Sequence, residues 1–245
     1  MTPRVLLAVA TRVLTQLRRD HRTLAMLLLL PCLLMTLLWW MFEGSPSQVF
    51  DSIGPALLAL FPFIIMFLVT SVTTLRERSS GTLERLLAMP MGKADFLGGY
   101  ALAFGLVAAV QSVLAVALSV GLLGLDVQGP VWLLTVVAVV DAVLGSALGL
   151  FVSAFAQTEF QAVQFMPAVV IPQILLCGLF VPRSMLPDVL EAVSDVLPLS
   201  YAVDAMQTLT QTADTAEVWL DLAIVAGFAL AGLALGAATL RRRTA

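Results

Sequence analysis

The chain has 245 residues, of which 60% are apolar and only 12% charged, and its formal net charge is -3. A mean hydropathy of +1.00 excludes an ordinary soluble domain, so the chain must use lipid as its solvent. In that setting the placement of the charges is informative and their sum is not.

Before the first long apolar stretch, the segment 5–17 puts Leu6, Val9, Ala10, Val13, Leu14 and Leu17 at helical spacing, with Arg4, Arg12 and Arg18 among them. This predicts either an amphipathic helix lying flat at the cytoplasmic interface or a basic, topology-setting flank that is helical; both face anionic lipid heads. His21 follows, and as the single histidine it reads as an interfacial residue and not as a ligand.

A helix needs about 20 mostly apolar residues to cross a hydrocarbon core about 30 Å thick with its backbone bonded internally. The chain supplies that length six times, at 24–42, 53–75, 96–123, 131–156, 162–181 and 218–240. The first stretch follows five arginines and ends in Glu43-Gly44-Ser45-Pro46 without a small-x-small cleavage site, so it is expected to stay as a span. The expected organisation is an amphipathic segment 1–23, a six-span domain 24–240 and a basic tail 241–245.

Of the 13 Lys and Arg residues, 12 fall before the first span, between the second and third (Arg76, Arg78, Arg85, Lys93), or after the last (Arg241, Arg242, Arg243). The positive-inside rule makes those segments, and both termini, cytoplasmic. The opposite loops carry Glu43, Asp51 and Asp126, then the stretch 182–217 with six acids and Arg183 as its one base. The loop around Glu159 has no base, so its cytoplasmic placement follows from alternation alone. Trp39, Trp40, Trp132 and Trp219 near outer span ends suit an aromatic belt.

Between the second and third spans lies RERSSGTLERLLAMP, residues 76–90. Gly81 permits a sharp reversal, Thr82 can cap a helix, Leu83, Leu86 and Leu87 form one apolar face, and Pro90 stops it. The prediction is a short amphipathic helix held between two spans, so that a soluble partner pushing on it moves both.

Asp141 lies near mid-depth of the fourth span, where an acid costs about 2.5–3.5 kcal/mol on insertion scales. It is either a cation-binding or helix-coupling carboxylate or a protonated acid bonded to a neighbouring helix. Gly145 with Gly149, and Gly232 with Gly236, give small-xxx-small faces for close helix packing. Cys32 and Cys177 both sit in apolar stretches and read as small buried side chains. Pro167 and Pro172 are expected to kink or break the fifth span, and Pro182 and Pro187 to bracket the turn after it. Gln161, Gln164 and Gln173 belong to the same region, where interhelical bonding is the usual role; Gln173 alone is deep enough to contact cargo. Leu186, Val189, Leu190, Val193, Val196 and Leu197 then recur at helical spacing with Asp188, Glu191 and Asp195 opposite, predicting a short outer helix that gates or seals the bundle.

With these residues in view, the chain resembles the permease subunits of ABC type-2 exporters. The first match is Arg76-Glu77-Arg78, Gly81-Thr82-Leu83-Glu84, Leu86 and Pro90; the second is Gly178-Leu179-Phe180-Val181-Pro182 with Leu186-Pro187, Leu190 and Pro198-Leu199-Ser200-Tyr201. The resemblance implies an all-α, type V exporter-like fold with an N-terminal interfacial helix, a cytoplasmic coupling helix and outer re-entrant helices. It implies that Arg76 to Arg78, Gly81 to Glu84, Leu86, Leu87 and Pro90 dock on an ATP-binding subunit. It further implies that Gly178, Pro182, Pro187, Pro198 and Tyr201 form an outer gate, with Asp141 and Gln173 as candidate path residues. No Gly-rich phosphate loop with Gly-Lys-Ser or Gly-Lys-Thr and no His-Glu-x-x-His is present, so ATP and Mg are expected in a separate subunit and the chain is not expected to be an enzyme.

The implied function is export of a hydrophobic or amphiphilic compound across a bacterial plasma membrane, the chain pairing with a second permease copy or paralogue. Multidrug permeases of the daunorubicin-resistance type are the nearest resemblance. A glycan or lipid exporter of the same family, and a non-transporting immunity or sensor protein, are the alternatives. A membrane enzyme would need convergent polar groups at one depth, and only Asp141 is available.

Overall fold

A computed structural model describes residues 3–43, 48–79 and 93–239. The described residues form helices and no strand. The expected helix at Gly81 to Pro90, the Arg85 charge and the basic tail lie outside the described residues, as do the side chains of Arg78 and Lys93.

In chain order the helices are α1 (Pro3–Arg19), α2 (His21–Met41), α3 (Gln48–Ser79), α4 (Lys93–Gly121), α5 (Val131–Ser153), α6 (Glu159–Leu176), α7 (Asp188–Ser194), α8 (Pro198–Gln211) and α9 (Ala216–Thr239). Six of them, α2 to α6 and α9, contain segments long and apolar enough to cross a membrane. The boundaries differ from the sequence reading in instructive ways. The second span is longer at both ends, because α3 starts at Gln48 and passes through Pro55 and Pro62 to Ser79. The fifth stops at Leu176 and not at 181, since the chain leaves helical geometry at Cys177 and turns through Gly178 at φ +89°, a left-handed conformation that glycine adopts without a Cβ clash. Pro167 and Pro172 do not break α6, which runs through both; the break falls at Gly178 instead.

The hub is α5, packed most extensively against α3 and then against α9 and α4. Two glycines make this possible. A Cβ on Gly145 would sit 2.4 Å from the Phe63 carbonyl oxygen, and one on Gly149 would sit 2.4 Å from that of Phe67, so the two backbones are in direct contact. The four-residue offset is the same on both helices, which makes α3 and α5 run parallel. Across α4, Ser112 Oγ donates to the Ala138 carbonyl at 3.0 Å.

Besides a small cluster of Leu75, Ala156 and Ala162, two large apolar cores result among the described residues. One joins α3, α5, α8 and α9 around Phe63, Leu134, Met206 and Val225. The other is built from α1, α2, α3 and α4 around Val13, Leu27, Met66, Tyr100 and Phe104. The apolar face predicted for α1 is present, with Val9, Ala10, Val13 and Leu17 buried, but protein covers it. Gly99 of α4 lets α1 approach so closely that a Cβ there would lie 2.6 Å from the Val9 Cβ.

One helix was missed by the sequence reading. α8 begins with Pro198 at its first turn, where a missing N–H costs nothing, and buries Leu199, Ala202, Val203, Met206 and Leu209 at helical spacing. At 14 residues it is about 21 Å long, too short to span.

Candidate functional site

Two polar clusters mark the ends of the bundle, and each joins helices that are distant in sequence. At the end predicted to be cytoplasmic, Glu77 of α3 is buried, and Arg12 and Tyr100 are among its partners. Arg12 of α1 donates from Nη2 to Glu77 Oε1 at 3.2 Å, and the Tyr100 hydroxyl of α4 donates to Glu77 Oε2. Tyr100 is itself buried and packs its ring 4.4 Å from that of Phe96. The carboxylate therefore ties together α1 and the two helices that flank residues 80–92. Arg76, one residue earlier, makes a two-pronged bond to Glu159, with Nε to Oε1 at 2.9 Å and Nη2 to Oε2 at 3.1 Å. Both partners are half exposed or more, so this pair contributes at most about 1 kcal/mol. Its value is geometric, because it puts the base-free Glu159 loop at the same end as Arg76.

At the other end, the Asp126 amide donates to Asp51 at 3.3 Å, and the rings of Trp132 and Trp219 lie 6.1 Å apart. Here the chain after α6 folds back on itself. Pro182 starts a 3-10 turn over Arg183–Met185, and Pro187 precedes α7, as bracketing prolines should. The Arg183 guanidinium bonds Asp195 after α7 and Asp204 in α8, and its Cζ lies 5.1 Å from the centre of the Tyr201 ring. Tyr201 donates to the Asp195 carbonyl at 2.7 Å. Burial raises the Asp204 carboxyl above its usual range, and the Arg183 guanidinium opposes that shift. Beyond Asp204, an open cleft of about 380 Å³ between α8 and α9 is lined by Gln207, Gln211, Glu217 and Asp221.

The remaining candidates separate. Gln173 is buried and bonds backbone groups at both ends of its amide: its Nε2 donates to the Val169 carbonyl at 3.0 Å, and its Oε1 accepts from the Leu199 amide at 3.3 Å at the start of α8. Asp141 is completely buried one turn before Gly145, and neither carboxylate oxygen has a hydrogen-bond partner among the described residues. The structure thus brings Gly178, Pro182 and Tyr201 together around Arg183 and sets Pro198 at the start of α8, while Asp141 lies within α5 in the bundle core. Among the described residues no cluster of His, Cys, Asp and Glu has metal-site geometry.

Sequence reasoning overlooked Arg12, Tyr100, Arg183 and Asp204. Arg183 carried a readable signal, as the single base in a stretch with six acids. Tyr100 and Arg12 carried none, because nothing in the linear order pairs them with Glu77.

Comparison with known proteins adds the following. The profile described as ABC-2 type transporter matches residues 4–210. The Dictyostelium discoideum protein named ABC transporter G family member 20 is 26% identical over 186 residues, covering 74% of this chain and 26% of that protein. The probable multidrug ABC transporter permease YbhS of Escherichia coli (strain K12) is 26% identical over 172 residues, covering 70% of this chain and 45% of YbhS. The inner membrane transport permease YhhJ of the same strain is 26% identical over 147 residues, 60% of this chain and 39% of YhhJ. The chain spans less than half the length of each of these curated relatives.

Proposed function

The chain belongs to the ABC-2 type transporter family, and on that basis we propose that it is the permease subunit of an ATP-driven exporter that moves a hydrophobic or amphiphilic compound out of a bacterial cell. The family match over residues 4–210 carries this reading. ATP and Mg belong to a separate ATP-binding subunit that docks on the segment from Arg76 to Pro90. The tie of Arg12 and Tyr100 to Glu77 gives that docking a mechanical route, since a push on residues 80–92 reaches α1, α3 and α4 together.

The path runs between two permease copies, along α6. This helix buries only Ala162, Val170 and Gln173, and exposes Phe160, Val163, Gln164, Phe165 and Ile171. Pro167 and Pro172 supply no N–H to the carbonyls of Val163 and Ala168, both on exposed residues. Such carbonyls are costly against lipid and are satisfied against water or a protein partner. The apolar side chains beside them favour a hydrophobic cargo. YbhS, named a probable multidrug ABC transporter permease, supports that cargo class. The segment from Gly178 through Tyr201 covers the outer end of the bundle as its gate.

The test is co-purification of this chain with its ATP-binding subunit, followed by ATPase assays in proteoliposomes. Binding of the two proteins and stimulation of hydrolysis by an amphiphile are expected. A stable complex whose ATPase ignores every amphiphile would refute the cargo class, and failure to bind any ATP-binding subunit would refute the permease reading.

A further inference from the structure

α7 is poorly held by apolar packing. Among its residues only Ser194 is buried, while Val189, Leu190 and Val193 are exposed, and Val196 just beyond it is exposed as well. A surface segment with so little buried apolar area opens at low cost unless polar contacts retain it. Here those contacts converge on one cation. Arg183 joins the 3-10 turn before α7 to Asp195 after it and to Asp204 in α8, with the Tyr201 ring beneath. The Arg183 side chain is 17% exposed and that of Asp204 33%, whereas Asp195 is 56% exposed, so the arm to Asp204 is the better shielded and its charge-assisted bond the stronger of the two. Under this knot, Ser194 Oγ donates to the Leu176 carbonyl at 2.8 Å and lies 3.0 Å from Ser200 Oγ.

We propose that Arg183 is the pin of a latch that holds the segment 179–197 against α8, and that its release from Asp195 and Asp204 frees α7 to lift. The gating role of this latch rests on the export reading above; the latch itself does not. Arg183 is a positioning residue. Its planar fork reaches two acids at once, which a lysine ammonium on a flexible stem does less well. Within the stretch 182–217 no second base can take its place.

The reporter is Ser194→Cys, a near-isosteric change at a buried position, in a background with Cys32→Ser and Cys177→Ser. Reaction with a membrane-impermeant maleimide added from outside is expected to be slow with the latch intact. It should accelerate about tenfold or more in Arg183→Gln or Asp204→Asn, because each removes a charge-assisted bond from the knot. Arg183→Lys should give an intermediate rate. Tyr201→Phe, which keeps the ring but loses the bond to Asp195, should give a smaller rise. A second reporter, Ser112→Cys in the α4–α5 packing, must stay unreactive in all variants. Unchanged labelling at position 194 in both charge variants overturns the latch, and so does parallel labelling at position 112, which would mean general loosening. These rates are read on the chain alone. Loss of amphiphile-stimulated ATPase with position 194 behaving as described would instead count against the export reading.

Discussion

Gly145→Ala tests whether backbone contact between α3 and α5 organises the bundle. The new Cβ would lie 2.4 Å from the Phe63 carbonyl oxygen and 3.1 Å from its carbonyl carbon and Cα. A carbon–oxygen contact settles at about 3.3–3.6 Å, so the helices must part by about 1 Å. A gap of that size forfeits about a quarter to a half of each dispersion contact along the seam. All three obstructing atoms are backbone, so no side-chain rotation relieves the overlap. Overpacking of this kind costs about 1–3 kcal/mol. At about 2–4 °C per kcal/mol for a chain of this size, the melting temperature should fall by about 2–12 °C. Gly232→Ala is the control, because its Cβ would meet the Ala147 Cβ at an ordinary 3.4 Å. Gly149→Ala should match Gly145→Ala, and the double variant should lose less than the sum, since the first substitution has already separated the helices. Melting in detergent, followed by cysteine-independent fluorescence or by size-exclusion recovery, supplies the readout. If Gly145→Ala melts no lower than Gly232→Ala, the backbone-contact account is wrong.

Tyr100→Phe removes a donor from the buried Glu77 carboxylate and should cost about 1.5–3 kcal/mol in the same melt, more than a surface substitution would; a cost under half a kcal/mol would remove Tyr100 from the tie. For orientation, single cysteines in a background lacking Cys32 and Cys177 decide. Ser47→Cys should react from outside in intact cells and Ser80→Cys only after permeabilisation, and the reverse pattern would invert the topology. Asp141→Asn keeps the side chain's size while removing its negative form: if the carboxyl serves the path, efflux of a cationic amphiphile falls relative to a neutral one in matched vesicles. An unchanged ratio would assign the buried carboxyl to packing.

The six spans, the short N-terminal helix and the family resemblance were readable in the sequence because lipid leaves few ways to satisfy a backbone, and long apolar stretches with alternating basic loops record the solution directly. The close approach at Gly145 and Gly149 was readable for a similar reason: a missing side chain four residues apart on one face is a local fact. α8 carried its signal, in Pro198 and the apolar spacing from Leu199 to Leu209, but its short length hid it beneath the search for spans. Tertiary structure alone decided which protein surface covers α1, since amphipathicity defines an apolar face and not its occupant. It alone decided that α6 ends at Leu176, ahead of the turn at Gly178, and survives its prolines, because exposure of the freed carbonyls depends on neighbours. The two ion clusters are of the same kind. Arg12 and Glu77 are 65 residues apart, and Arg183 and Asp204 are 21 apart. Charge pairing at such separations depends on where whole helices cross, and periodicity along one helix holds no record of that crossing.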